Sequence, residues 1–163
     1  MSMASRKDKT IIILPIWPVY CDLIFSGVKK VELRKGNIPL GIKHVLIYET
    51  SPSCRIIGYF DVSSVVESTP ANIWKHFNRT CAVEKRFFDQ YYDRCTTGRA
   101  IVIGSVSKFA RSCTLSDLGM KDMRAPQSFS YINSGTWKIA EGKKSVLVWS
   151  QKANELQYHK ELK

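Results

Sequence analysis

A single carboxylate, Glu32, stands inside a run of cations in the segment SGVKKVELRK, which spans residues 26–35. If the segment forms a strand after a turn, alternation places Lys30, Glu32 and Arg34 on one face and the apolar residues between them on the other. A patch that only collects phosphates does not need the glutamate, because its charge cancels positive charge. The segment therefore raises the question of what Glu32 does.

Two interpretations of Glu32 follow from its neighbours. In a cleft, the ionised carboxylate would hold the adjacent basic side chains in place, and an ordered cation reads a phosphate or a base edge better than a mobile one. The carboxylate would also be able to accept a hydrogen bond from a base amino group, as carboxylates do with cytosine N4. On a solvated sheet face, the same residues would form a cross-strand ion pair that adds little stability.

The overall charge favours a polyanionic partner. The chain of 163 residues contains 25 Lys and Arg against 14 Asp and Glu, for a net charge of +11. Such a balance is the electrostatic footprint of a nucleic-acid binder, although a soluble protein can be basic for other reasons. With 44% hydrophobic residues, the chain is expected to fold around a proper core.

Cysteine and histidine usage argues against several other classes of protein. The five cysteines include no Cys-x-x-Cys pair, and the three histidines are scattered, so neither a zinc site nor a His-pair nuclease is indicated. No apolar run approaches the roughly 20 residues that a membrane helix needs. We expect a reduced, cytoplasmic protein without a metal or cofactor and without membrane contact.

The order of apolar patterns predicts an α+β fold. Strands are predicted at residues 10–14, around Glu32, at 44–50, 55–66, 99–110 and 144–150, with Gly58 marking a bulge or a close backbone approach. A helix is predicted at 19–26, and a helical pair contains IWKHF and FFDQYY, whose aromatic residues are interpreted as core. We predict one domain at 10–150, between a flexible basic N-terminus (1–9) and a polar C-terminal tail (151–163).

Several of these segments, in this order, resemble the ASCH (activating signal cointegrator homology) domain of the PUA-like superfamily. The segment PVYCDLIFSGVKKVELRK resembles its opening motif, an apolar helix followed by Gly-x-Lys and Glu-x-Arg, here Gly27, Lys29, Glu32 and Arg34. The similarity continues through VLIYETSPSCRIIGYFDV and the helical pair, and it closes with APQSFSYI, which is similar to a Pro-Gln-Ser-Phe segment of the family. It covers approximately residues 11–132.

The resemblance implies a fold and a general function. The implied fold is a PUA-like small mixed β-barrel of about five or six strands, with an early helix and a helical pair on its rim. Members of the family are mostly described as RNA-binding modules, some as components of transcription coactivators, and a few as ribonucleases or N4-acetylcytidine amidohydrolases. We therefore predict a module that binds RNA, more readily than DNA, or a modified nucleotide in a basic cleft.

Lys29, Glu32 and Arg34 are the principal predicted site residues, and Lys30 adds charge where the family commonly has threonine. Trp17, beside two prolines at the start of the first helix, is a candidate for base stacking. The resemblance adds further polar candidates along the implied cleft: Tyr48, Thr50, Ser51, Gln127, Ser128 and Tyr131.

Two alternative functions remain open. The first is a hydrolase that acts on RNA or on a modified nucleoside through Lys29, with Glu32 and Ser128 as the other candidate catalytic residues. Within it, amidohydrolase activity is disfavoured, because Glu32 stands where those relatives have a threonine nucleophile. The second alternative is an interaction module of a transcription regulator.

Overall fold

The protein is a mixed α+β fold built on one curved sheet. The computed structural model describes residues 9–121, 124–142, 147–150 and 155–158, the last two ranges as backbone. Within them lie eight strands, four α-helices and a 3-10 turn at Ser116–Leu118. The strands are β1 (Ile11–Ile16), β2 (Val31–Arg34), β3 (His44–Glu49), β4 (Arg55–Ser68), β5 (Gly98–Cys113), β6 (Ser130–Tyr131), β7 (Leu147–Ser150) and β8 (Glu155–Tyr158). The helices are α1 (Pro18–Phe25), α2 (Pro70–Phe77), α3 (Lys85–Tyr91) and α4 (Ser134–Gly142).

The sheet curls into a half-barrel. Its strands follow the order β6-β1-β3-β4-β5-β7-β8, and β2 pairs with β5 beside this path. The β1–β3 pair is parallel and the other pairs are antiparallel. The long partners β4 and β5 change register three times along their length, and such bulges bend strands and increase their twist.

The predicted fold class is confirmed, and the described residues contain two strands beyond the six predicted segments. One is β6, whose two residues are too few to give a periodic signal. The other is β8, which lies in the segment predicted as a polar tail and pairs with β7. None of the helices in the described ranges has the length and apolarity needed to cross a bilayer.

Side chains on the two faces of β1 enter different apolar clusters. Ile12, Leu14 and Ile16 pack with α1 in one cluster, whereas Ile13 packs in a second cluster that includes α4. This separation follows from the two-residue period of a strand. A third cluster lies under the helical pair, where Phe88 and Tyr92 are buried against β2 and β5.

The predicted irregularity at Gly58 is confirmed. The pairing of β4 with both β3 and β5 shifts register next to Gly58. A Cβ atom at this position would stand 2.3 Å from the carbonyl oxygen of Ser107 and 2.9 Å from the ring of Phe25. Only glycine therefore lets β5 approach β4 this closely at the centre of the sheet.

Gly58→Ala is expected to lower the free energy of unfolding by about 1–3 kcal/mol or more. The added methyl group would overlap the backbone of Ser107, which is fixed by the pairing of β4 with β5. Gly41→Ala is the matched control, since no atom lies within 4 Å of a Cβ built there. Denaturant unfolding of both variants checks the prediction. Equal midpoints for the two would contradict the close approach at Gly58.

Candidate functional site

The turn between α1 and β2 aims Lys29 into the protein. Pro18 occupies the first turn of α1, where its missing N–H costs nothing. After the helix ends, Gly27 adopts a positive φ of 76°, which glycine tolerates best. The Lys29 N–H then donates to the Leu23 carbonyl at 2.9 Å and folds the chain back against the helix.

Lys29, rather than Lys30, stands beside Glu32. Strand alternation was expected to extend to Lys30, but β2 begins only at Val31, and the Lys30 side chain is exposed. The cation that contacts Glu32 is Lys29, which is 2% exposed and whose Nζ lies 3.5 Å from Glu32 Oε2.

Lys29 is held by three different kinds of contact. Its Nζ donates a hydrogen bond of 2.6 Å to the carbonyl oxygen of Cys81, in the loop between α2 and α3. It faces the Glu32 carboxylate, and it also lies 4.8 Å from the centre of the Tyr20 ring. Contacts with a carbonyl, a carboxylate and a ring face are each favourable to an ammonium group.

Glu32 bridges the two cations of the site. One carboxylate oxygen faces Lys29, and the other accepts a hydrogen bond of 2.9 Å from Arg34 Nη2. The same Arg34 nitrogen donates to the Pro15 carbonyl at 2.6 Å, which ties β2 to the end of β1. Lys29, Glu32 and Arg34 are hereafter called the charged triad.

The charged triad lies in a cavity of about 600 Å³ between α1, β2 and α3. Trp17 and Tyr20 stack on one side, with ring centres 6.2 Å apart and planes 15° apart. Phe87 and Tyr91 of α3 also line the cavity. The side chains around the triad are predominantly apolar or aromatic: Pro15, Ile16, Trp17, Val19, Tyr20, Leu33, Val83, Phe87, Phe88 and Tyr91, with Gln90 as a further polar residue.

The cavity wall suppresses ionisation of its tyrosines. Burial is the largest cause of the raised pKa of Tyr20, and the negative charge of Glu32 raises it further. Burial likewise raises the pKa of Tyr91, against an opposing effect of Arg34. Both phenols therefore stay neutral across the physiological range and offer the cavity a ring face and a hydroxyl group.

The structure brings together only part of the predicted site in this cavity. Trp17, Lys29, Glu32 and Arg34 line it. Tyr48 is 6% exposed and packs with Ile13 in the cluster on the other face of the sheet. Burial and a hydrogen bond with Cys54 raise the pKa of Tyr48.

The other predicted polar residues do not line this cavity. The Thr50 N–H donates to the Ile16 carbonyl at 3.0 Å, and Ser51 follows in an exposed turn. Gln127 and Ser128 are exposed, and Ser128 Oγ lies 3.8 Å from the position of a Cβ on Gly36, in the turn after β2. Tyr131 is 41% exposed, pairs with β1 and stacks edge-on with Phe129.

Residues of α3 belong to the site although sequence reasoning assigned their aromatic rings to the core. Phe88 and Tyr92 are buried, and Phe88 reaches the cavity wall from the core, whereas Phe87 and Tyr91 are 47% and 37% exposed and also line the cavity. Two pairs at a spacing of four residues, offset by one, cannot all face the same neighbour on a helix. That offset is the signal by which the second pair was detectable.

A metal centre is not evident in the described part of the chain. No group of three or more His, Cys, Asp or Glu side chains there is arranged to hold an ion. The charged triad itself contains one carboxylate and two cations, which oppose metal binding by charge.

Solved structures with a similar fold include one from Zymomonas mobilis. The crystal structure of ASCH from Zymomonas mobilis matches with a TM-score of 0.77 and 22% identity, covering 85% of this chain and 98% of that chain. The chain has an ASCH fold. Two variants of the same Zymomonas protein, one with a tyrosine and the other with a serine replaced, match with TM-scores of 0.76 and 0.77. The resemblance drawn from the opening motif is thereby confirmed.

Sequence relatives extend this comparison. A Zymomonas mobilis protein named ASCH domain-containing ribonuclease is 26% identical over 152 residues, which cover 91% of this chain and 99% of that protein. Large ribosomal subunit protein uL22 of Ureaplasma parvum is 26% identical over 133 residues, and this match spans 42% of the uL22 protein against 79% of the ASCH-fold chain. No family model matches the chain.

Glu32→Gln is expected to lower the free energy of unfolding by about 3–5 kcal/mol, because it leaves Lys29 buried beside a neutral partner. Glu84→Gln is the matched control, since Glu84 pairs with Arg86 on the surface, with both side chains mostly exposed. That control should change stability by less than about 0.5 kcal/mol. Chemical denaturation measures both, and equal losses would contradict a buried ion triad.

Stability is expected to fall as the pH rises above 10. Burial raises the pKa of Tyr92 in the folded protein above its ordinary value of 10.0. Above pH 10 the unfolded chain therefore releases this proton while the folded chain retains it, which favours unfolding. Urea unfolding between pH 8 and 11 measures this effect. The free energy of unfolding should fall less steeply with pH for Tyr92→Phe than for the wild type. Tyr131→Phe, at an exposed position, should show the same pH dependence as the wild type.

Proposed function

We propose that the chain binds single-stranded RNA and takes one unstacked base into the cavity beside α1. The observation that carries the proposal is the combination, in one cavity, of exposed aromatic rings with the buried charged triad. Single-stranded RNA is recognised in this way, by stacking of splayed bases on aromatic side chains and by hydrogen bonds to their edges.

The charge arrangement supports a base rather than a phosphate as the group inside the cavity. Glu32 lines the cavity and keeps lone pairs that neither Lys29 nor Arg34 occupies. A phosphate placed there would meet this carboxylate at close range. A base is neutral and carries both donors and acceptors on its edge, so it suits a site with both cations and a carboxylate.

The phosphates would then lie outside, against cations at the rim. Lys30 and Lys35 flank β2 and are exposed, and Lys35 Nζ lies 4.8 Å from the centre of the cavity-lining Tyr91 ring. By contrast, Lys85 and Arg86 of α3 are paired with Asp89 and Glu84. The phosphate contacts are therefore proposed to follow the β2 side of the cavity, and their affinity should fall as salt rises.

RNA cleavage is a second candidate, favoured by the similarity to the Zymomonas ribonuclease along nearly all of its length. In this candidate the 2′-hydroxyl attacks the adjacent phosphorus, and the bond to the 5′-oxygen breaks. Glu32 would accept the hydroxyl proton, Lys29 would donate one to the leaving oxygen, and Ser128 would contact the phosphate. These roles require the phosphate, not the base, to reach Lys29 and Glu32.

Trp17→Ala distinguishes RNA binding in this cavity from RNA binding elsewhere on the protein surface. Trp17 is 66% exposed and carries no side-chain capping bond, so its removal should leave the fold intact. Loss of one base–aromatic stack of about 1–3 kcal/mol should weaken binding of labelled single-stranded RNA roughly 5- to 150-fold. Leu40→Ala, at an exposed apolar residue outside the cavity, is the control and should bind as the wild type does.

The same samples reveal any cleavage. Product from the wild-type protein that disappears in Lys29→Met while RNA binding survives would establish the ribonuclease candidate. Binding without product, lost at high salt and weakened by Trp17→Ala, supports the binding module. Equal binding by Trp17→Ala and the wild type would rule out the cavity as the RNA site.

A further inference from the structure

The charged triad presents its polar groups in a fixed order. The Glu32 carboxylate lies in the middle, with Lys29 at one oxygen and Arg34 at the other. Lysine and arginine only donate hydrogen bonds, and an ionised carboxylate only accepts them. The cavity therefore offers a ligand the sequence donor, acceptor, donor.

Each member of the triad retains capacity for a ligand. Of the three N–H groups of Lys29, one donates to Cys81 and one faces Glu32. Arg34 uses one terminal nitrogen, Nη2, for both of its hydrogen bonds, so its other terminal nitrogen, Nη1, is left to donate to a ligand.

We propose that the cavity selects uracil, an inference that rests on the proposed binding of RNA. The Watson–Crick edge of uracil presents the O4 acceptor, the N3–H donor and the O2 acceptor in a row. This order complements the triad, with the two carbonyl oxygens toward Lys29 and Arg34 and the imide N–H toward Glu32. The stacked rings of Trp17 and Tyr20 would bound one face of the base.

The other bases leave part of the triad unsatisfied. Cytosine can place N4 against Glu32 and its two acceptors against Arg34, but Lys29 then has no acceptor. Guanine can place O6 against Lys29 and its two donors against Glu32, but Arg34 then faces an amino group. Adenine has one donor group and one acceptor on this edge, so it can form hydrogen bonds with at most two of the three triad residues. Unpaired buried polar groups are what make such a site discriminate.

The decisive comparison uses modified uridines, because it leaves the protein unchanged. An A-rich oligonucleotide carries one central base, which is U, C, G, A, N3-methyluridine or C5-methyluridine. The two methyl groups have the same size, but only the N3-methyl removes the imide donor. We expect U and C5-methyluridine to bind alike, and C, G, A and N3-methyluridine to bind roughly 5- to 150-fold more weakly.

Failure of this inference is distinguishable from failure of RNA binding. Equal binding of all six oligonucleotides would overturn uracil selection and leave RNA binding standing. If no oligonucleotide binds, the proposed function is wrong, and calorimetry with free uridine and N3-methyluridine tests the cavity directly. In that experiment, equal affinities or an absence of uridine binding would overturn the inference.

Two protein variants test which atoms read the base. In Glu32→Gln the amide presents a donor as well as an acceptor, so the preference for uridine over N3-methyluridine should shrink toward equality. Arg34→Lys keeps the charge but lacks the second terminal nitrogen, and it should weaken the binding of uridine because one carbonyl oxygen of the base loses its donor. Glu84→Gln should retain the full preference and the wild-type affinity for uridine. Folding of each variant is confirmed by circular dichroism. An unchanged preference in Glu32→Gln, together with unchanged uridine affinity in Arg34→Lys, would overturn the assignment of these atoms.

Discussion

A buried carboxylate that must be neutralised on both sides determines how the site is built. Glu32 is 6% exposed and lies between a lysine that is 2% exposed and a largely buried arginine. Charges removed from water are tolerated only when they are paired and hydrogen-bonded. The partners of the two cations lie on separate segments, the Cys81 carbonyl after α2 and the Pro15 carbonyl on β1. The triad thus holds β1, β2 and the α2–α3 loop in one arrangement and forms the floor of the cavity between them.

Two local features of the chain and the pairing of β2 with a long strand hold this arrangement in place. The prolyl start of α1 and the glycine turn after it place Lys29 within a few residues of β2. Strand β2 is only four residues long, but it pairs along its whole length with β5, which also pairs with β4. Short strands gain their stability from such neighbours rather than from their own sequence. The charged residues therefore stand on a part of the sheet that the core holds rigid.

Part of the site was predictable because its residues are close together in the chain. Strand alternation alone pointed to Lys30, Glu32 and Arg34, and it was the resemblance of the segment from Gly27 to Arg34 to the ASCH opening motif that added Lys29. The contribution of Pro15 and Cys81 was not predictable, since they act through backbone carbonyls, which every residue type possesses. The two faces of α3 were also missed, because an aromatic residue at helical spacing packs in the core more often than it lines a cavity. Strand β6 was also missed, because its two residues are too few to show the alternation of apolar and polar side chains that marks a strand.

The net charge of the whole molecule and the charge of its cavity would serve different purposes in the proposed RNA binding. The chain carries a net charge of +11, whereas the triad carries two positive charges and one negative charge. Long-range attraction of a polyanion depends on the first quantity and is weakened by salt. In the proposed function, discrimination between bases would depend on the second, because Lys29 and Glu32 are buried and each unpaired buried group is costly. A purely basic cavity would attract a polyanion more strongly but would accept any anion. The carboxylate at the centre of this cavity weakens that attraction and adds an acceptor between two donors.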